Sequence, residues 1–205
     1  GDGGNALAGA ICTSIDKGNS KKVKLINASL GPKYSNNQVE SILIDNNIEY
    51  IRISGNKKIL KAAEILNEGK IIGWFQGRME YGPRALGNRS ILASADDSEI
   101  NNTLNKRLDR SEFMPFAPVT TNLLAEKCFI DWKKSDTCTD FMNMCYECTD
   151  LMIRKCPATV HVDNTARPQV IKEINNPEYF KLIMKYYEIS SRPAIINTSF
   201  NHHQE

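Results

Sequence analysis

The part of the sequence that decides the fold is residues 71–90, IIGWFQGRMEYGPRALGNRS. Its first five residues form a short apolar run of the type found in buried strands. Residues 76–90 follow with three arginines and three glycines in fifteen positions. Glycines let a backbone approach a ligand closely, and arginines make bidentate, charge-assisted hydrogen bonds to phosphate. The stretch therefore predicts a strand that leads into an anion-binding turn, and a surface loop held by ion pairs through Glu80 is the alternative.

Two helices and a strand are predicted before this turn. Ser35 and Gln38 have the spacing of a capping box in front of a helical apolar pattern. Residues 48–53 are rich in isoleucine and predict a strand, whereas residues 57–69 predict a helix that stops at Gly69. Residues 27–35 lie ahead of these elements and are interpreted as a linker.

The elements after the turn are also mixed. A helix is expected from Asp96 or Asp97, and another begins at Asn176, where an N-cap residue precedes Pro177. The buried stripe predicted for this last helix is Phe180, Ile183, Met184 and Tyr187. Strands are expected at residues 158–160 and 194–196, and residues 141–148 look extended. The alternation predicts an α+β fold with a mixed sheet flanked by helices.

Two further polar clusters come directly after predicted strands. The first, residues 161–169, contains His161 and Arg167, and the second, residues 197–201, contains Asn197 and Ser199. Loops at strand ends are held rigidly and often build sites, although each cluster alone is compatible with an ordinary turn. Together with the turn at residues 76–90 they predict a composite anion pocket.

Composition excludes several classes of protein. The chain has 205 residues with 26 basic and 24 acidic side chains, so a net charge of +2 gives no argument for nucleic acid or an anionic membrane surface. Mean hydropathy is −0.40 and no apolar run is long enough to cross a bilayer. The first residues lack the features of a signal peptide, and the six cysteines are too few for a disulfide scaffold. We therefore expect a cytoplasmic protein, and the missing initiator Met suggests a piece of a longer chain.

Cys145 and Cys148 form a C-x-x-C pair with no second pair to complete a zinc site. Residues three apart on an extended segment point to opposite faces, so two ligands at these positions would diverge. A structural role is favoured over metal binding or redox chemistry.

The run at residues 77–90 resembles the signature of the carbamoyltransferase family, which includes nodulation and antibiotic O-carbamoyltransferases. Three segments agree with that family in order and spacing: MPFAP at 114–118, HVDNTAR at 161–167 and NTSFN at 197–201. The N-terminal GDGGNAL at 1–7 resembles the last glycine-rich motif of the family's upstream domain. The resemblance covers nearly the whole chain.

The resemblance implies a two-domain enzyme. Residues 1–30 would be the remnant of an actin-like ATPase-fold domain that transfers the carbamoyl group with a metal such as Fe or Mg, and Asp2 would be one of its ligands. Residues 31–205 would be a C-terminally trimmed, YrdC-like domain with a twisted mixed sheet that binds carbamoyl phosphate and ATP and forms carbamoyl adenylate for a hydroxylated small-molecule acceptor. No metal is expected on this chain alone, and no nucleic acid or membrane is an expected partner. A homodimer is left open.

The site residues that the resemblance implies bind substrate or nucleotide. They are Arg78, Arg84, Arg89, Lys106, Arg107, His161, Arg167, Asn197 and Ser199. The chain departs from the family pattern before residue 115, because Met114 replaces a usual arginine and Leu108 falls near a usual lysine. Lys106, Arg107 and Arg110 are the alternatives for the missing cations.

Two other functions remain as alternatives. A YrdC-type synthase that makes threonylcarbamoyl adenylate is disfavoured by the signature at residues 77–90 and by Asp2. A non-catalytic nucleotide- or RNA-binding module is disfavoured by the balanced charge and by the lack of a basic and aromatic surface motif.

Overall fold

The computed structural model describes residues 4–19, 27–109 and 116–200, which form one mixed sheet, one short two-stranded sheet and seven α-helices. The helices are α1 (Asn5–Asp16), α2 (Asn36–Asp45), α3 (Asn56–Asn67), α4 (Glu99–Arg107), α5 (Ala125–Cys128), α6 (Asp150–Lys155) and α7 (Pro177–Ser190). The strands are β1 (Ile72–Phe75), β2 (Arg89–Ser94), β3 (Ala117–Thr121), β4 (Tyr146–Glu147), β5 (Thr165–Ala166), β6 (Gln169–Ile171) and β7 (Ile195–Thr198).

The main sheet has the strand order β1-β2-β7-β3-β6. Its pairs are antiparallel except β3 and β6, which run parallel with Val119 opposite Gln169. Strand β7 lies at the centre, where Asn197 is paired with Leu92 of β2 and Ala117 of β3. The predicted α+β class with a mixed sheet flanked by helices is confirmed.

Hydrophobic side chains cover both faces of this sheet. Leu92 and Ile195 point to one face and pack with α3 and α7, whereas Ala93 and Ile196 point to the other and pack with α4, α5 and α6. Successive residues on a strand alternate between faces, so two consecutive apolar residues on β2 and on β7 supply both layers. The result is a three-layer arrangement in which the strand ends are held from both sides.

Local signals in the sequence predicted the helices well. Ser35 accepts a hydrogen bond from the Gln38 amide, and Gln38 accepts one from the Ser35 amide, so the capping box is present. Asn176 caps α7 by accepting from the Tyr179 amide, and Pro177 is the first helical residue. Both capping motifs join residues that are neighbours in sequence, and the sequence alone is therefore sufficient to predict them.

The buried face of α7 is wider than predicted. Met184 and Tyr187 are partly exposed, whereas Phe180 and Ile183 are buried as expected. The remaining fully buried side chains on this helix are Tyr179, Leu182 and Tyr186. Helix α7 packs against both α3 and β3, and this double contact covers more of its circumference than a single apolar stripe predicts.

Two strand predictions are wrong. Residues 48–53 are irregular, with Ile51 85% exposed, because they pair with no strand in the part of the chain that the structure describes. Residues 158 and 159 belong to a 3₁₀ turn, Pro157–Thr159, which the proline begins, and Val160 follows it.

The strand predicted at residues 71–75 is present as β1, but it is not buried as expected. It lies at the sheet edge, with Trp74 buried and Phe75 55% exposed.

The last predicted strand begins and ends later than expected. It spans Ile195–Thr198, so Asn197 lies within β7 rather than after it. Of residues 141–148, Tyr146–Glu147 are a strand, and Cys145 is exposed while Cys148 is buried. The expected divergence of the two cysteines is confirmed.

Candidate functional site

Residues 76–90 connect the edge strand β1 to β2 and contain three glycines in the left-handed region, with φ of 54° at Gly77, 101° at Gly82 and 96° at Gly87. A Cβ atom at Gly87 would lie 2.1 Å from the nearest ring atom of Tyr179 on α7. No other residue fits this position, because both the space and the backbone angle require glycine. The loop is thus pressed onto the first turn of α7.

Glu80 organises the inside of this loop. Its side chain is 8% exposed, and its Oε1 accepts hydrogen bonds from the amides of Leu86 (2.7 Å), Asn88 (2.8 Å) and Arg89 (3.1 Å). Within the described residues Glu80 forms no ion pair, so its carboxylate holds the loop through backbone N–H groups and not through the ion pairs of the alternative prediction. An internal carboxylate thus occupies these three amides of the turn that was predicted to bind an anion.

The segment at residues 27–33, predicted as a linker, is hydrogen-bonded to the loop. The Gly31 amide donates to Met79 O (2.9 Å), the Met79 amide to Pro32 O (3.0 Å) and the Tyr81 amide to Ala28 O (2.6 Å). The Asn88 side chain adds a bond to Ser29 Oγ at 2.7 Å. The loop is therefore held from the N-terminal side as well as by α7, and the predicted division of the chain at residue 30 stays a prediction.

Arg89 and Arg78 face the outer side of the loop. The Arg89 guanidinium lies 3.7 Å from the centre of the Phe75 ring. It donates to four backbone carbonyls, those of Gln76, Gly77, Asn88 and Pro32. Arg78 is exposed and donates to Gly31 O at 3.1 Å. These contacts favour a structural role for Arg89, and both assignments to the anion site stay predictions.

Arg84 and Arg167, here called the arginine pair, are close enough for the charge of Arg84 to act on Arg167. Burial lowers the pKa of Arg167, and the positive charge of Arg84 lowers it further. Arg84 is exposed, and within the described residues neither guanidinium forms an ion pair with a carboxylate. Two neighbouring cations without a counter-charge are a favourable place for an anion.

The loop residues next to Arg84 are tied to the centre of the sheet. The Asn197 Nδ2 donates to Ala85 O and to Gln169 Oε1, both at 2.9 Å, and Gln169 Nε2 donates to Leu86 O at 2.9 Å. Arg167 Nε and Asn197 Oδ1 are both buried and have no hydrogen-bond partner among the described residues. An unpaired buried donor and an unpaired buried acceptor mark a position where a ligand gains hydrogen bonds.

His161 lies in a tight turn and is partly exposed. Its Nδ1 is 3.0 Å from Thr165 Oγ1, and its amide donates to Thr165 O at 2.7 Å. Asp163 Oδ1 accepts from the Thr165 amide and hydroxyl, and these bonds lower the pKa of Asp163. The turn positions the strand β5 and hence Arg167, so the contacts of His161 favour support of the turn.

The assignments of Lys106, Arg107 and Ser199 to the site stay predictions. Lys106 and Arg107 are exposed in the last turn of α4, and Ser199 follows β7 partly exposed. Asp2, Arg110, Met114 and Asn201 lie outside the described residues.

Gln169, Asn88 and Asn176 are the polar residues that sequence reasoning missed. Gln169 bridges the sheet to the loop, and Asn88 accepts from Asn176 Nδ2 at 3.1 Å while donating to Arg78 O. All three are buried or partly buried amides that bond groups distant in sequence. The sequence carried signals for their positions but not for their contacts: Asn88 lies in the arginine- and glycine-rich segment, Gln169 in the polar cluster at residues 161–169, and Asn176 at a predicted N-cap.

A large groove lies on the other side of the loop. It has a volume of about 1300 Å³ and is lined by α2, residues 50–55, the end of β1 and the start of α7. Lys33 and Arg78 are its cations without a carboxylate partner among the described residues, whereas Arg52 pairs with Glu40 and Lys58 with Glu178. Neither Arg84 nor Arg167 lines this groove.

No group of three or more His, Cys, Asp or Glu among the described residues is placed to hold a metal ion. The metal site that the family resemblance implies, with Asp2 outside the described residues, stays a prediction. None of the described helices has the length and apolar character needed to span a bilayer.

The sequence pattern described as the carbamoyltransferase C-terminus matches residues 63–205, a span that holds the arginine pair, Glu80 and Asn197. The chain belongs to this family. The resemblance expected from the motifs is thereby confirmed.

The relatives of this carbamoyltransferase C-terminus are longer proteins. An uncharacterized protein of Methanocaldococcus jannaschii is 38% identical over 99% of this chain, which covers 34% of that protein. The nodulation protein NolO of Bradyrhizobium diazoefficiens is 33% identical over 100% of this chain, which covers 38% of that protein. The chain spans about a third of the length of the curated relatives that it matches.

Two solved structures share part of the architecture. T. kodakarensis HypF gives a TM-score of 0.49 at 16% identity. The match covers 75% of this chain and 18% of the HypF chain. P. abyssi Sua5, solved with L-threonine, gives a TM-score of 0.48 at 14% identity. The match covers 72% of this chain and 40% of the Sua5 chain.

Proposed function

We propose that this chain is the part of an O-carbamoyltransferase that binds carbamoyl phosphate and ATP and forms carbamoyl adenylate. The observation that carries the proposal is the arginine pair beside two unpaired buried atoms, Arg167 Nε and Asn197 Oδ1. Carbamoyl phosphate has phosphoryl oxygens that accept hydrogen bonds and an amide group that donates them. An unpaired donor and an unpaired acceptor next to two cations match this combination.

The chemistry needs positioning and charge neutralisation. A carbamoyl oxygen forms a bond to the α-phosphorus of ATP and the bond to pyrophosphate breaks, while the phosphoryl group of carbamoyl phosphate passes to water as inorganic phosphate. Both substrates are polyanions, and they repel each other unless cations lie between them. Arg84 and Arg167 would neutralise this charge, and the anchored loop would keep Arg84 in place during the reaction.

Transfer of the carbamoyl group to a hydroxyl is assigned to the rest of the protein. A metal such as Fe or Mg, bound in part by Asp2, would polarise the carbamoyl carbonyl there. For this chain we expect nucleotide and carbamoyl phosphate to bind and no carbamoylated acceptor to form. We further propose that the protein acts in the cytoplasm on a hydroxylated small molecule.

The experiment is to mix the purified chain with ATP and carbamoyl phosphate and measure the release of pyrophosphate. We expect release to depend on both substrates and to fall at least tenfold in Arg84→Ala. Release without carbamoyl phosphate would indicate a simple nucleotidase. Saturable binding of neither substrate by calorimetry would refute the site assignment.

A further inference from the structure

Glu80 is an acidic residue in a loop that is expected to bind anions, and its burial requires an explanation. Its side chain is 8% exposed, and no Lys, Arg or His of the described chain forms an ion pair with it. Burying a carboxylate is costly unless hydrogen bonds replace its water. The amides of Leu86, Asn88 and Arg89 supply three such bonds at 2.7–3.1 Å.

These three bonds close the loop at its base. They join residue 80 to residues 86–89, so that residues 81–85 form a small arch with Arg84 near its end. The arch is then tied to the sheet, because Ala85 O and Leu86 O accept from Asn197 and Gln169. The backbone on the C-terminal side of Arg84 is therefore fixed by Glu80 and by the sheet at once.

The same bonds decide how the loop can contact a ligand. A backbone N–H that already donates to a buried carboxylate cannot also donate to a phosphate in the same direction. The negative charge of a substrate must then be met by side chains. Arg84, at the anchored end of the arch, is a cation whose charge acts on Arg167.

We propose that Glu80 is a positioning residue that acts through Arg84: it remains bound to the three amides while substrate binds, and it orients Arg84 toward Arg167. This inference rests on the proposed binding of carbamoyl phosphate. A glutamine at position 80 keeps one acceptor oxygen but loses the charge, and its NH₂ group adds donors to a place already filled by donors.

The test combines Glu80→Gln with Arg84→Ala in a double-mutant cycle, with calorimetric titration of carbamoyl phosphate as the measurement. Glu188→Gln, an exposed glutamate on α7, is the matched control. We expect Glu80→Gln to weaken binding about tenfold or more when Arg84 is present and less than twofold when Arg84 is alanine, because the effect passes through Arg84. Thermal melting of each variant separates this coupling from loss of the fold.

Hydrogen exchange of the amides of Leu86, Asn88 and Arg89 provides a second readout that needs no substrate. We expect protection in the wild type, faster exchange in Glu80→Gln and unchanged protection when carbamoyl phosphate binds. If Glu80→Gln does not fold, Glu80→Asp replaces it, because it keeps the charge and shortens the reach by one methylene group.

The outcomes separate this inference from the proposed function. If the wild type fails to bind carbamoyl phosphate, the proposed function fails, and the inference fails with it. If the wild type and Arg84→Ala differ but Glu80→Gln binds like the wild type, the positioning role alone is wrong. Equal weakening by Glu80→Gln in both Arg84 backgrounds, or loss of amide protection on substrate binding, would also overturn it.

Discussion

Arg84 and Arg89 belong to the same loop, but their surroundings differ. Arg89 donates to four carbonyls and stacks on Phe75, whereas Arg84 is exposed next to a second cation. The sequence pattern indicated both as anion ligands because it contains residue types and spacing but no hydrogen-bond partners. The partners of Arg89 are backbone carbonyls that folding brings to it, two of them contributed by residues 32 and 77.

Replacing Arg84 is expected to affect binding far more than stability. A charge-assisted hydrogen bond contributes about 1.5–3 kcal/mol, so Arg84→Ala should weaken carbamoyl phosphate binding roughly ten- to a hundredfold. Arg154→Ala, an exposed arginine on α6, is the control and should bind like the wild type. Calorimetry and thermal melting are the measurements. Unchanged affinity with a large fall in Tm would identify Arg84 as a structural residue.

Replacing Gly87, in contrast to Arg84, is expected to reduce the stability of the fold. A methyl group at this position would overlap the Tyr179 ring at 2.1 Å and strain a backbone with φ of 96°, so Gly87→Ala should cost about 2–4 kcal/mol of stability. Gly9→Ala, in the exposed helix α1 with no atom within 4 Å of the new methyl group, is the matched control. Chemical denaturation measures the difference. Equal stability of the two variants would show that the loop does not press on α7 as described.

At the scale of elements, prediction succeeded where the signal was local. The caps at Ser35 and Asn176 are decided by residues three positions away, and both are present. Residues 48–53 have strand composition, but a strand needs a neighbour whose location depends on the whole fold. The same limitation applies to Asn197, whose side chain was expected in a loop and lies on the central strand instead.

The link between β6 and the 3₁₀ turn Cys138–Phe141 gives a prediction about pH. Asp140 bonds Lys172 through both oxygens at 3.1 Å, yet burial raises the pKa of Asp140 above its ordinary value, with Lys172 offsetting part of the rise. A carboxyl whose pKa is higher in the folded state favours folding when protonated, and that contribution is lost as pH rises through the folded pKa.

The wild type should therefore lose stability relative to Asp140→Asn as pH is raised from about 3.5 to neutral, because the variant cannot ionise at this position. Thermal melting of both proteins across this range is the measurement. A wild type that gains stability relative to the variant would mean that the bond with Lys172 outweighs the effect of burial.

At the scale of the whole molecule, the three layers serve to fix one loop. The sheet anchors it through Asn197 and Gln169, α7 presses on Gly87, and residues 27–33 bond its outer edge. The family and the mixed sheet could be predicted because the ordered motifs and the apolar patterns can be read directly from the sequence. The hydrogen bonds from the loop amides to Glu80 could not be predicted. The sequence of such a segment is the same whether its glutamate faces solvent or binds the backbone.

The central claim is that carbamoyl phosphate binds at the arginine pair and not in the groove beyond the loop. The most direct measurement is a crystal structure of the chain with a phosphonate analogue of carbamoyl phosphate. We predict its phosphonyl group between Arg84 and Arg167, with its amide near Asn197 and with Glu80 still bound to the loop amides. Analogue density in the groove at Lys33 and Arg78, with nothing at the arginine pair, would contradict the account.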